Sequence, residues 1–192
     1  MKKTVKRALT PYMKGDKSKQ EVLLNNPKDK VYTPDELAKE IITKIDNKFN
    51  ISGTILDPCK GKGAFYNNYP NKLQKDYCEI DEGKDFLELD ESNHYDFIIS
   101  NPPYSCYNLF HDKAMKICDN IVWLIPINKL SSSGKRVADL AKWGGVPYIL
   151  LCTGSESKFP FGFSVGAVYY KKGYKGPIEI DYSENFKKMY KI

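Results

Sequence analysis

Short apolar runs that alternate with helix-length segments limit the folds open to this chain more than any other feature. The runs are TILD (54–57), DYCEI (76–80), FLEL (86–89), YDFIIS (95–100) and NIVWLIP (120–126). Continuous apolar strands separated by helices are typical of a parallel sheet with both faces covered. We therefore predict an α/β fold with a doubly wound, mostly parallel sheet.

The last third of the chain follows another pattern. Its three apolar runs, at 147–152, 164–173 and 177–182, have little helix between the last two. Because strands joined by short connections pair antiparallel, we expect a C-terminal antiparallel hairpin at the edge of the sheet.

A helix start precedes the first strand, at TPDELAKEIITKI (33–45). Thr33 is suited to cap the helix, Pro34 to occupy its first position, and Glu36 to complete a T-x-x-E capping box. Further helices are expected from about residue 64 and over about 108–118.

Length and charge divide the chain into two parts. With 192 residues there is room for one domain with a substantial core, which we place at 31–192, after a basic, loosely structured segment at 1–30. Residues 1–30 and 127–192 each carry a net charge of +6, and residues 31–126 carry −6. This distribution indicates a polyanion held by the basic flanks and a cationic ligand in the acidic middle. The alternative is that the lysine-rich flanks are solvated and only aid solubility.

Several functional classes are disfavoured by composition. No apolar run approaches the roughly 20 residues of a membrane span, and there is no signal-peptide core, so we expect a cytoplasmic protein without a membrane partner. Five cysteines without C-x-x-C spacing predict reduced thiols rather than a zinc site or disulfides. His94 and His111 belong to no ligand motif, and we interpret them as surface or helix residues.

A glycine-rich turn follows the first strand. In ILDPCKGKGAF (55–65) the strand ends at Asp57, and Gly61 and Gly63 allow a ligand to approach the backbone. Ligands of open α/β sheets bind at this end of the strands. The stretch is neither a dinucleotide fingerprint nor a P-loop.

Carboxylates follow the second strand. Glu79 lies where a ribose diol is usually held, about twenty residues past a glycine turn. Asp85 is suited to accept a hydrogen bond from an adenine amino group, and Phe86 to cover the ring. A solvated acidic surface is the alternative, because several other carboxylates crowd this region.

The stretch SNPPYS (100–105) leaves an apolar strand through two prolines. Proline cannot continue a ladder, and the residue before a proline is pushed toward extended backbone. The exit is therefore stiff, and it holds Asn101 and Tyr104 in fixed directions.

Together these stretches resemble the paired motifs of the S-adenosylmethionine-dependent DNA adenine-N6 methyltransferases. The first motif of that family, D-P-x-x-G-x-G-x-F, is matched by Asp57, Pro58, Gly61, Gly63 and Phe65. Its catalytic motif, [D/N/S]-P-P-[Y/F/W], is matched by Asn101, Pro102, Pro103 and Tyr104. YTPDELAKEI, with Thr33, resembles its N-terminal cofactor motif. The resemblance covers about residues 31–126 in the γ-like motif order and departs from many members at Cys59-Lys60.

The resemblance implies a Rossmann-like class I methyltransferase fold with S-adenosyl-L-methionine as cofactor and no metal. The implied cofactor residues are Thr33, Asp57, Pro58, Gly61, Gly63, Phe65, Glu79, Asp85 and Phe86. It further implies that the Asn101 side-chain oxygen and the Pro102 carbonyl accept the protons of an adenine amino group, which turns its lone pair toward the methyl donor. Tyr104 would stack on a flipped-out base. Phe161 or Phe163 would cover the other face of the base, and we favour Phe163, although at least one phenylalanine of this stretch is expected in the core.

Few residues of the chain are left for recognition of a target sequence. No separate target-recognition domain fits in the chain, so specificity must come from NKLSSSGKR (128–136), from the basic N-terminus or from a second subunit. Arginine is the usual bidentate reader of guanine, so Arg136 is the candidate for substrate binding. Small size and a lysine-rich composition suit a phage or mobile-element enzyme, alone or in a restriction-modification pair.

The leading hypothesis is an enzyme that methylates adenine N6 in DNA. The same chemistry on RNA or on a protein glutamine is the alternative among enzymes, and the first motif favours DNA. A nucleic-acid-binding protein that keeps the fold without catalysis is the alternative from another class, and the intact N-P-P-Y speaks against it. A nucleotide-binding oxidoreductase is disfavoured by the incomplete glycine motif.

Overall fold

The computed structural model describes residues 31–158 and 164–192, so the predicted N-terminal segment 1–30, Phe161 and Phe163 lie outside the described residues. The sheet has seven strands in the order β2-β1-β3-β4-β6-β5-β7. The strands are β1 (Thr54–Asp57), β2 (Gln74–Tyr77), β3 (Phe97–Ser100), β4 (Asn120–Pro126), β5 (Gly144–Cys152), β6 (Val165–Lys172) and β7 (Glu179–Tyr182). The helices are α1 (Asp35–Phe49), α2 (Ala64–Asn68), α3 (Tyr107–Ile117), α4 (Gly134–Trp143) and α5 (Glu184–Tyr190).

Strand direction divides the sheet. Strands β1 to β4 run parallel to one another. Among the described strands only β6 is reversed, since it runs antiparallel to both β4 and β5, and β7 pairs in parallel with β5. The predicted α/β fold, mostly parallel with an antiparallel C-terminal part, is confirmed. The reversed strand lies inside the sheet, however, and the edge strand is β7.

Helices cover both faces of the sheet. One face receives α1 through its apolar stripe, Leu37, Ala38, Ile41, Ile42 and Ile45, all buried. The other face receives α3, and partly buried residues of α4 pack there too. β4 supplies both layers, because Val122 and Leu124 point toward the α1 side while Trp123 and Ile125 point toward the α3 side. Each such side chain contributes about 1.5–3 kcal/mol on burial, which explains why β4 reads as a continuous apolar run.

A topological switch point lies between β1 and β3. From β1 the chain moves outward to β2 on one side, and then crosses back to β3 on the other side of β1. Connections at such a point diverge and leave a crevice at the carboxyl ends of the strands. The glycine-rich turn follows β1 and the N-P-P-Y stretch follows β3, so both open into this crevice.

The predicted capping box at the start of α1 is wrong. The N-cap residue is Pro34, with φ −61° and ψ 143°, and no side chain caps the helix. The Thr33 hydroxyl instead accepts a hydrogen bond from the Asn101 side-chain amide. A long-range partner has taken the oxygen that local sequence assigned to the helix end.

One further expectation needs correction, and one is confirmed. FLEL (86–89) forms a 3₁₀ turn, Phe86–Glu88, rather than a strand, because the Asp85 carboxylate accepts from the Leu87 N–H and caps it. His111 lies on α3, as expected for a helix residue, but is buried, and its Nδ1 accepts from the Trp123 indole N–H at 3.1 Å. Burial lowers the His111 pKa to about 3, so this imidazole stays neutral.

Within the ranges that the structure describes, no helix combines the length and apolarity needed to cross a membrane.

Candidate active site

A group that we name the strand-end site lies at the switch point. It comprises residues 31–33, Asp57 with the loop 58–63, Glu79, and the stretch 100–104. The last residues of β1 and β3 join its two halves, because the Ser100 hydroxyl donates to Asp57 Oδ1 at 2.6 Å. A hydrogen bond therefore joins the two sequence motifs, which lie 43 residues apart.

The surroundings of Asp57 disfavour its charged form. Its side chain is 1% exposed, and Oδ1 also accepts from the Cys59 N–H at 3.2 Å. Oδ2 is buried without a hydrogen-bond partner among the described residues. Burial raises the pKa of Asp57 to about 6, against the opposing hydrogen bonds from Ser100 and Cys59. A buried carboxylate oxygen without a hydrogen-bond partner is costly.

The glycine-rich loop is fastened to the end of β2. Glu79 Oε2 accepts from the Gly61 N–H at 2.6 Å, and Oε1 accepts from the Asp81 N–H at 3.1 Å. Gly61 and Gly63 have φ of 54° and 85°, in the left-handed region that favours glycine. A Cβ at Gly63 would stand 2.9 Å from the Asn67 side chain. The loop conformation therefore depends on both glycines.

Asn101 is oriented by the segment before α1. Its Nδ2 donates to the Val31 carbonyl at 3.3 Å and to Thr33 Oγ1 at 3.2 Å, and its Oδ1 accepts from the Tyr104 hydroxyl at 2.9 Å. A backbone carbonyl can only accept, so the amide nitrogen must face Val31. The side-chain oxygen is thereby fixed on the opposite side, toward Tyr104.

The Tyr104 side chain connects the N-P-P-Y stretch to β4 in the sheet. Its hydroxyl is 2.9 Å from Asn101 Oδ1 and 3.3 Å from the carbonyl oxygen of Leu124 on β4, so its one proton has two acceptors in reach. Pro102 is buried and Pro103 is half-buried, in keeping with a rigid exit from β3. Cys106 is 4% exposed and packs in the core.

Some predicted site residues lie apart from this group. Phe65 and Phe86 are core rings, 4% and 1% exposed, and Phe86 packs on Phe110 with ring centroids 5.1 Å apart. Asp85 caps the turn that follows it. Arg136 belongs to α4 rather than to a loop, its Nη1 is buried without a hydrogen-bond partner among the described residues, and its charge acts on His111 of α3.

Sequence reasoning missed three contributors. Ser100 bonds Asp57, the Val31 carbonyl bonds Asn101, and Tyr32 lies against the loop, its ring 3.3 Å from where a Cβ at Gly61 would stand. Tyr32 is 44% exposed, and Lys62 Nζ lies 4.5 Å from its ring centroid. An aromatic directly before the T-P pair was the available signal for Tyr32. The other two contacts join residues distant in sequence and leave no local trace.

Among the described residues no group of His, Cys, Asp or Glu side chains is arranged to hold a metal ion.

The fold is similar to that of known methyltransferases. A Listeria monocytogenes protein assigned to the class I S-adenosylmethionine-dependent methyltransferases superposes with a TM-score of 0.64 and 16% identity, over 87% of this chain and 71% of that chain. The methyltransferase subunit of a type I restriction-modification system from Streptococcus thermophilus gives 0.58 and 13%, over 83% and 52%. A Pyrococcus horikoshii protein assigned as an RNA methyltransferase gives 0.55 and 15%, over 80% and 98%.

These likenesses establish the class I methyltransferase fold and leave the substrate open. No protein-family model and no curated protein sequence matches the chain. The chain spans about half the length of the Streptococcus thermophilus subunit, 52%.

Proposed function

We propose that this protein transfers a methyl group from S-adenosyl-L-methionine to the N6 amino group of adenine in DNA. The observation that carries the proposal is the fixed orientation of the Asn101 amide, whose oxygen is held as an acceptor at the switch point. The segment 31–33 brings this acceptor beside the glycine-rich loop, since Thr33 bonds Asn101 while Tyr32 lies against Gly61. The Asn101 side chain and the loop therefore both contact the segment 31–33.

The residues of the crevice fit a cationic nucleoside cofactor. Glu79 lies two residues after β2, near the strand end where carboxylates hold a ribose diol, and each of its oxygens keeps a lone pair beyond its one backbone N–H. Asp57 Oδ2 is buried and lacks a donor among the described residues. S-adenosyl-L-methionine would supply an electrophilic methyl group on a positively charged sulfur, which suits these carboxylates.

Asn101 and Pro102 would activate the acceptor amine. The adenine amino nitrogen is conjugated with its ring and is a weak nucleophile. If Asn101 Oδ1 and the Pro102 carbonyl each accept one of its N–H protons, the nitrogen becomes more tetrahedral and its lone pair turns out of the ring plane. Two rigid acceptors placed where charge develops lower the barrier without reorganisation, which is what the two prolines provide.

Tyr104 and the segment around Phe163 are the proposed contacts to the base. A base inside a duplex cannot reach the crevice and must be flipped out, which costs a few kcal/mol. Stacking on an aromatic ring contributes about 1–3 kcal/mol per base and offsets that cost. The Tyr104 hydroxyl can turn from Asn101 Oδ1 to the Leu124 carbonyl, which leaves Oδ1 to the incoming amine.

DNA is favoured over other substrates by the first motif and by the likeness to a restriction-modification subunit. RNA is the second candidate, because a protein assigned as an RNA methyltransferase has the same fold over 98% of its chain. A second subunit for target recognition is part of the proposal, since the described strands form one sheet and the charge of Arg136 acts on His111 of α3.

The test is methyl transfer from labelled S-adenosyl-L-methionine to unmethylated duplex DNA, single-stranded DNA and RNA in parallel, with product nucleosides identified by mass spectrometry. We expect N6-methyladenine in DNA from the wild type and none from Asn101→Ala, with cofactor binding measured by calorimetry in both. Label in RNA alone would keep the chemistry and change the substrate. Cofactor binding without any transfer, including to cell-extract protein, would contradict the enzymatic proposal.

A further inference from the structure

The Asn101 amide depends on one side chain outside its own motif. Of its two nitrogen contacts, the Val31 carbonyl belongs to the backbone, and Thr33 Oγ1 is a side-chain atom. Thr33 makes no helix-capping hydrogen bond, although it directly precedes the N-cap residue. Its hydroxyl oxygen is therefore available for the contact at 3.2 Å that reaches across 68 residues.

We propose that Thr33 is a positioning residue for the Asn101 acceptor, a role that rests on the proposed amine methylation. The sequence resemblance implied a cofactor contact for Thr33, and the geometry points instead to the catalytic motif. An amide turned by 180° would present N–H donors to an amine that is itself a donor. Thr33 and Val31 together select the productive orientation, in which the nitrogen faces these two residues and the oxygen remains an acceptor on the side of Tyr104.

Thr33 is well supported for this task. Pro34 fixes the backbone directly after it, and the Ala38 N–H bonds the Pro34 carbonyl at 3.1 Å as the first turn of α1 begins. That turn is anchored by Leu37 and Ala38, which are 4% and 0% exposed. The Thr33 hydroxyl thus lies directly before a helix that packs against the sheet.

The decisive variant is Thr33→Val, which keeps the shape of the side chain and removes its oxygen. We expect kcat at saturating cofactor to fall about five- to tenfold, the effect of one hydrogen bond, while the Kd for S-adenosyl-L-methionine changes less than twofold. Thr33→Ser should restore kcat to within about twofold, because it returns the oxygen. Thr43→Val is the matched control, since Thr43 is an exposed residue of α1, the helix that follows Thr33, and it should leave both constants unchanged.

A second measurement does not depend on turnover. In ¹⁵N-labelled protein the Asn101 side-chain NH₂ signal, assigned by its loss in Asn101→Ala, should exchange slowly in the wild type and in Thr43→Val. It should exchange faster in Thr33→Val. Unchanged exchange and unchanged kcat in Thr33→Val would overturn the inference, as would a higher cofactor Kd with kcat retained, which would make Thr33 a cofactor contact.

Failure of the proposed function would give a different experimental result. It would be seen as an absence of transfer by the wild type, with the exchange measurement still reporting on Thr33 and Asn101. Transfer by the wild type together with a Thr33→Val enzyme of full kcat would leave the function standing and reject the positioning role.

Discussion

Asp57, in the strand-end site, and Asp181, on the edge strand β7, are held in opposite ways. Asp57 is 1% exposed and leaves Oδ2 without a partner among the described residues. Asp181 Oδ2 accepts hydrogen bonds from Lys44 Nζ and from the Tyr148 hydroxyl, both at 3.0 Å. Burial raises the pKa of Asp57 to about 6. Burial also acts to raise that of Asp181, but the hydrogen bonds from Lys44, the Tyr182 N–H and Tyr148 lower it to about 2.

The difference distinguishes a carboxylate at a candidate ligand site from a carboxylate that stabilises the fold. At β7 the hydrogen bonds together outweigh burial and favour the charged carboxylate, so Asp181 stabilises the contact between the sheet edge and α1. At the switch point the charged form is disfavoured and one oxygen is unused, so Asp57 lowers stability at neutral pH. A group that costs stability is expected where a ligand can satisfy it, which agrees with the proposed cofactor position.

The largest expected effect is on activity at the strand-end site. Asn101→Ala should lower kcat at least about 100- to 1,000-fold, as loss of a preorganised electrostatic partner does, with an unchanged melting temperature and retained cofactor binding. Asp181→Asn should leave kcat within about twofold. Steady-state kinetics of the two variants under identical conditions check the comparison, and a large loss of kcat in Asp181→Asn would break it.

The next effect is a pH dependence of stability that belongs to Asp57. Because its pKa is raised on folding, the native state holds the proton more tightly, and the free energy of unfolding falls as pH rises from about 4 through about 6. Relative to Asp57→Asn, the wild type should lose roughly 3 kcal/mol over this window and stay level above it. Urea unfolding of both proteins between pH 4 and pH 8 measures the difference, which saturating S-adenosyl-L-methionine should reduce.

The smallest effect has the opposite sign and belongs to Asp181. Its pKa is lowered on folding, so its contribution is present above about pH 4 and is lost as pH falls toward 2. Relative to Asp181→Asn, the wild type should gain about 1 kcal/mol at pH 7, reduced from the full linkage value because the carboxylate is partly exposed. The same urea series extended to lower pH tests this, and parallel slopes for Asp57 and Asp181 would contradict the contrast between the two regions.

The elements that sequence predicts best are those with local causes. β1 and β4 begin and end where their apolar runs do, at Thr54–Asp57 and Asn120–Pro126, because each is buried on both faces. The motifs on either side of the switch point are likewise local, so their residues are found by inspection. β7 is different, since nothing in its own sequence indicates that it pairs in parallel with β5.

The contacts that sequence cannot predict are those that join distant residues. Thr33 looks like a helix cap until Asn101 is known to lie beside it. The Ser100–Asp57 bond exists because β1 and β3 are neighbours in the sheet, and neither residue type indicates it. Arg136 reads as part of a polar loop, yet α4 begins at Gly134 and directs its charge toward α3.

The reversal of β6 has a consequence for how this scaffold can change. Because β6 runs against its neighbours, its first residue, Val165, pairs with both Pro126 and Cys152, the last residues of β4 and β5. The connection between β5 and β6 therefore starts and ends on the rim of the crevice. Extra residues inserted between β5 and β6 would leave every described strand pairing unchanged. This connection is therefore a suitable position at which to add a segment that recognises a target sequence.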